Sequence, residues 1–172
     1  MVEKPNSSQR EVITSCTYPD LYCLLLLLII MSQKPFILIA DDDQEDRYLL
    51  HTAFEEIGRS NDIYLVENGL QVFKYLETSI EQSGMPSLIV LDLNMPILNG
   101  METLSRLKAH NVYKTIPVIM FTTSIHEVEK KRCLEIGAAD FIKKPARFQQ
   151  TISTARYLHE SACTRQEALK GC

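Results

Sequence analysis

Residues 36–43 read Phe36-Ile37-Leu38-Ile39-Ala40-Asp41-Asp42-Asp43, an unbroken apolar run that passes without a spacer into three acids. A short run rich in Ile, Val and Leu, with no polar alternation, reads as a strand buried on both faces of a parallel sheet. The pattern returns three times: Leu88-Ile89-Val90-Leu91 ends on Asp92, Val118-Ile119-Met120-Phe121 on Thr122-Thr123-Ser124, and Phe141-Ile142 on Lys143-Lys144-Pro145. In open parallel sheets the binding crevice lies beyond the carboxyl ends of the strands. Acids, a hydroxyl and a lysine gathered at that edge suit a hard cation and a phosphoryl group.

Between these runs the apolar period changes from strand to helix. Leu50, Ala53, Phe54 and Ile57 predict a first helix, stopped by Gly58. Ile63-Tyr64-Leu65-Val66 predicts a second strand, and Val72, Phe73, Leu76 and Ile80 stripe a second helix broken at Ser83-Gly84-Met85-Pro86. The loop from Asn94 to Gly100 leads into a third helix carrying Met101, Leu104 and Leu107. Pro117 opens the fourth strand. Ile125, Val128, Cys133 and Ile136 are the expected stripe of a fourth helix ended by Gly137, and Phe148, Ile152, Ala155 and Leu158 that of a fifth. Five strand–helix alternations imply right-handed βαβ crossovers and a doubly wound α/β sheet. The expected domain covers residues 34–160, followed by a tail, 161–172, too short for an output domain.

Composition narrows the class. The 172 residues are 45% apolar and 23% charged, which is globular rather than disordered. A net charge of −4 argues against general nucleic-acid binding and fits a cytoplasmic protein that meets other proteins. The cysteines (16, 23, 133, 163, 172) have no zinc-ligand or redox spacing and read as free thiols. Residues 1–33 form an extension whose apolar run, 21–31, is shorter than the roughly 20 residues a membrane span needs. It has signal-core length, but Glu3, Glu11 and Asp20 dilute any basic leader. The reading that explains most is a start at Met31; a short membrane-surface or packing segment is the other.

The acid pair after strand one, Asp92 in Leu91-Asp92-Leu93-Asn94-Met95-Pro96, Thr122 after strand four and Lys144-Pro145 after strand five resemble the receiver domain of two-component response regulators. The likeness spans residues 34–160, and Gly100 opens the third helix where the family has a glycine. Phe121-Thr122-Thr123-Ser124 looks like the single-domain receivers that serve phytochrome-type sensor kinases. The resemblance implies a flavodoxin-like sheet in the order 2-1-3-4-5 with helices on both faces. It implies Asp92 as phosphoacceptor from a histidine kinase or phosphotransfer protein, with Mg2+ held by Asp42, Asp92 and the backbone oxygen of Asn94, and Asp41 acting through a water. Lys144 would meet a phosphoryl oxygen, Thr122 would donate its hydroxyl, and Pro145 would follow a cis bond. Phe141 would be an aromatic switch whose ring turns inward as Thr122 moves, and Thr123 would restrict access to the phosphoryl group.

Each residue has a plainer reading beside this one. Thr122 could cap the fourth helix, Lys144 could be a solvated lysine as Lys143 is expected to be, and Phe141 could simply pack. Asp41 to Asp43 could be acids at a helix N-terminus, with Asp43 a loop acid and cap. That does not explain Asp92 as well. An aspartyl-phosphate phosphatase of the haloacid-dehalogenase type would want a second acid two places beyond Asp92, where Asn94 stands and cannot exchange protons. A phosphorylation-independent adaptor would not need the full set. Lys130, Lys131, Arg132, Asp140 and Arg147 are open to two readings, a homodimer contact on the face of helix four, strand five and helix five, or a solvated face.

Overall fold

Apolar runs without polar alternation have to be covered on both sides, and in the computed structural model, which describes residues 34–79 and 84–170, they are. Residues 1–33, with the 21–31 run and its alternatives, lie outside the described residues, as does Ile80. The strands are β1 (Ile37–Ala40), β2 (Ile63–Val66), β3 (Leu88–Asp92), β4 (Val118–Thr122) and β5 (Asp140–Lys143). The helices are α1 (Gln44–Glu56), α2 (Gly69–Ser79), α3 (Gly100–Ala109), α4 (Glu127–Ile136) and α5 (Phe148–Lys170). All strand pairs are parallel, in the order β2-β1-β3-β4-β5. This is the doubly wound, flavodoxin-like sheet expected from the sequence.

Successive residues of each strand feed opposite cores, as the period of two requires. Ile37, Ile39, Leu88, Val90, Ile119 and Phe121 pack with Leu50, Ala53 and Phe54 of α1 and Ala155, Leu158 and Ala162 of α5. Leu38, Ala40, Ile89, Leu91, Val118, Met120 and Phe141 pack with Val72 and Leu76 of α2, Leu104 and Leu107 of α3, and Cys133 of α4. Each large aliphatic side chain buried this way contributes about 1.5–3 kcal/mol. A slip of one residue would exchange the two faces of a strand, so packing pins the register.

Two helix boundaries fall where the sequence indicates. Asp43 caps α1, its Oδ1 accepting from the amides of Glu45 at 2.7 Å and Asp46 at 3.4 Å. Gly137 closes α4 at φ +113°, its amide donating to Cys133 O and Leu134 O.

Three expectations about helix faces need correction. Ile125 lies ahead of α4 rather than in it, and Val128 is 81% exposed, so the predicted apolar stripe of α4 reduces in the core to Cys133, with Ile136 packed at its edge. Phe148 sits in the exposed first turn of α5. The fifth helix does not stop near residue 160 but continues to Lys170 through the segment read as a tail. Ala162 extends the stripe of Ile152, Ala155 and Leu158 onto the α1 side, and no glycine or proline interrupts the chain before Gly171.

Candidate functional site

Parallel register gathers the polar signatures at one edge. Ala40 pairs with Leu91, which sets Asp41 beside Asp92, and Thr122 pairs with Lys143, which sets Lys144 one step beyond. The amides of Asp41 and Lys144 continue the ladder, donating to Val66 O at 3.0 Å and Thr122 O at 2.7 Å. The close approach of α3 to the end of β3 depends on Gly100, where a Cβ would lie 2.1 Å from the carbonyl oxygen of Asp92.

Lys144 is the centre of the site. Its ammonium lies 2.7 Å from Asp41 Oδ2, 3.2 Å from Asp92 Oδ2 and 2.8 Å from Asp46 Oδ2, with its side chain only 7% exposed. The solvated-lysine reading therefore fails for Lys144, while Lys143 is exposed as expected. Asp41, Asp42 and Asp92 each place a carboxylate oxygen within 4.8 Å of the others, with Asp42 at the solvent side. Asp41 Oδ1 accepts the amide of Asp43 at 3.1 Å, and the Arg47 guanidinium donates to Asp41 O at 2.6 Å. Asp41 Oδ2 is fully buried and meets Lys144 as an ion pair without a well-angled hydrogen bond.

Burial and crowding shift the protonation of this cluster. Burial pushes the Asp41 carboxyl up to about 6, against the pull of the Lys144 ammonium. Burial also raises Asp92, opposed by Lys144 and by the amides of Leu93 and Asn94. For Lys144, burial acts downward, but its contacts with Asp41 and Asp46 and the charges of Asp41 and Asp92 prevail and hold it above the usual lysine range. Three acids contact the one lysine and Asp42 stands beside two of them, which leaves uncompensated negative charge. Oxygen donors only, crowded, with one buried oxygen poorly satisfied, fit a hard divalent cation.

The remaining residues are placed as follows. Thr122 is buried and its Oγ1 donates to Ser124 O at 3.1 Å. It does not cap α4, whose N-cap is His126, so the capping alternative falls. Thr123 and Asn94 are exposed. Phe141 is 6% exposed and already packed in the α2–α4 core, so the expected inward turn has no outward starting position here. Lacking a hydroxyl, the ring has nothing to gain at the surface. The bond before Pro145 is not cis: among the described residues every peptide is trans. Trans is the lower-energy form of an X–Pro bond by about 0.5–1 kcal/mol, and the Lys144 amide bond to Thr122 O already holds the chain here. Of the charged face, Asp140 is engaged within the chain, accepting from Tyr157 OH at 2.7 Å, and Lys131 lies 3.9 Å from Glu135.

Sequence reasoning missed Asp46 and Arg47. Asp46 was legible only as an acid in the first turn of a helix; its partner Lys144 is 98 positions away.

Comparison with known proteins identifies the family. The response regulator receiver domain family matches residues 37–156, and the chain belongs to that family. It is 32% identical over 110 residues to response regulator Rcp1 of Synechocystis sp. (strain PCC 6803), covering 63% of this chain and 75% of Rcp1. It is also 32% identical over 128 residues to the peroxide stress-activated histidine kinase mak2 of Schizosaccharomyces pombe, which is 72% of this chain but 5% of that kinase. Among solved structures, the phosphorylated cyanobacterial phytochrome response regulator RcpA superposes with a TM-score of 0.66 at 26% identity, over 73% of this chain and 91% of RcpA. The Mn2+-bound form of Rcp1 gives 0.63 at 25% identity, over 74% and 93%. The haloacid-dehalogenase alternative gives way to the receiver assignment. Among the described residues no helix is long and apolar enough to cross a membrane.

Proposed function

We propose that Asp92 is a phosphoacceptor that takes its phosphoryl group from a phosphohistidine on a sensor histidine kinase, of the phytochrome type that RcpA serves, or on a phosphotransfer protein. The observation that carries this reading is the buried Lys144 ammonium in contact with both Asp41 and Asp92. An Asp92 oxygen forms the new bond to phosphorus, the P–N bond of the donor breaks, and the imidazole leaves with the electron pair. A carboxylate is a weak nucleophile, so positioning and charge neutralisation supply the catalysis. Mg2+ held by Asp42, Asp92 and the Asn94 backbone oxygen, with Asp41 acting through a water, would neutralise charge on the phosphoryl oxygens. Lys144 meets one of those oxygens, and Thr122 leaves Ser124 O to donate to another. Thr123, exposed at the rim, restricts the approach of hydrolytic water.

The signal is a change in the surface around α4, β5 and α5 that a partner protein reads, with a homodimer through that face as one outcome. Phosphorylation adds about −1.5 to −2 charges. Moving a two-state equilibrium from 1:99 to 99:1 takes about 5.5 kcal/mol, within reach of several charge-assisted contacts. The protein acts in the cytoplasm as a signalling component and catalyses only its own phosphotransfer and slow dephosphorylation.

The test is incubation with acetyl phosphate and Mg2+, followed by a phosphate-affinity gel. Wild type acquires a retarded band that Asp92→Ala lacks. A band of equal strength in Asp92→Ala would end the assignment.

A further inference from the structure

Lys144 has three N–H donors, and three carboxylates surround it. The proposed reaction redirects two of them. Asp92 gives up its charge on forming the acyl phosphate, and Asp41 would hold a water of the bound cation. Asp46 takes part in neither event. It stands in the first turn of α1, outside the acid run after β1, and its Oδ2 holds the ammonium at 2.8 Å from the helix side.

From this geometry we infer that Asp46 is a positioning residue for phosphoryl transfer, anchoring the Lys144 ammonium over Asp92 so that it meets the incoming phosphoryl oxygen. The inference rests on Asp92 being the phosphoacceptor. A lysine stem has many rotamers, and a group that must meet an oxygen in the transition state acts best when ordered before the donor arrives. Asp43, Glu45 and Asp46 are all acids near the start of α1, but of these only Asp46 contacts Lys144 among the described residues. A general preference for negative charge at a helix N-terminus therefore does not account for its placement.

The experiment measures phosphorylation of the full chain by acetyl phosphate with Mg2+. An Asp92 oxygen bonds to phosphorus, the P–O bond to the acyl group breaks, and acetate leaves with the electron pair. Asp46→Ala lowers the limiting rate roughly 10-fold, the scale of one lost charge-assisted hydrogen bond, while the half-saturating acetyl phosphate concentration stays put. Asp46→Asn, which keeps an acceptor oxygen in place, recovers part of the rate. In a Lys144→Gln background Asp46→Ala has no further effect. A second readout needs neither turnover nor metal: the slowly exchanging 1H–15N signal of the Lys144 ammonium disappears in Asp46→Ala. Thermal melts verify folding, and if Asp46→Ala does not fold, Asp46→Asn carries the comparison. A wild-type or faster rate in Asp46→Ala overturns the inference. So does the same loss in the Lys144→Gln background, which would reduce Asp46 to a helix-terminal acid. Failure of wild type to label at Asp92 is a separate result and overturns the phosphoacceptor reading itself.

Discussion

Asp41 shows how a residue can be readable in type and not in state. Its place after an apolar run marks it as a site acid, but its protonation depends on what covers it. Its carboxyl lies at about 6 in the fold against an ordinary 3.8, chiefly through burial. A folded-state pKa raised in this way favours the fold while the group is protonated. That contribution is full below 3.8 and is lost as pH rises through about 6. With divalent cations chelated, Asp41→Asn should therefore unfold at higher urea than wild type at pH 8, by on the order of 2 kcal/mol, with the gap narrowing toward pH 4. A gap of equal size at both pH values would refute this. The same residue scale explains Phe141: the resemblance gave it a switch's place in the chain, while packing decides where the ring rests.

At the scale of elements, the strands were easier to read than the helix faces. A strand buried on both sides needs every residue apolar, so its composition announces it. A helix covering one side of a sheet needs only a few contacts, and α4 manages with little more than Cys133 in the core. That leaves Val128 free to face solvent and misleads a count of apolar residues. The end of α5 was missed for a related reason: alanine at 162 carries little hydrophobic signal, yet it is fully buried. Truncation after Glu160 should lower stability by about 1–3 kcal/mol through lost burial, several degrees in a thermal melt. Acetyl phosphate labelling should survive, because α5 runs away from the edge that holds Asp92 and Lys144, and His159 meets Asp62 in the turn just before β2. An unchanged melting temperature would show that the last turns of α5 add nothing.

For the whole molecule, folding must hold three acids against one lysine with Asp42 beside them, and a bound cation should relieve the strain. Saturating Mg2+ should raise the melting temperature, by about 2.7 kcal/mol of stability at a hundredfold excess over Kd, and EDTA should reverse it. Asp42→Ala should abolish the effect with the Lys144 contacts left intact, since Asp42 is exposed and contributes no ion pair to Lys144 among the described residues. A melting temperature indifferent to Mg2+ in wild type would count against a metal site here.

By itself the sequence determined the class of sheet, the strand ends that are polar, and the identities of Asp41, Asp42, Asp92, Thr122 and Lys144 as the groups gathered at that edge. Those features are local: apolar runs, their punctuation and the residue that follows each. Only the tertiary structure decided that Asp46 anchors Lys144, that Thr122 is held by Ser124 rather than capping a helix, that Phe141 rests inward and that α5 runs to Lys170. Each of these follows from which surfaces meet across the fold, and contact between residues distant in the chain leaves no mark in the residues' own neighbourhoods.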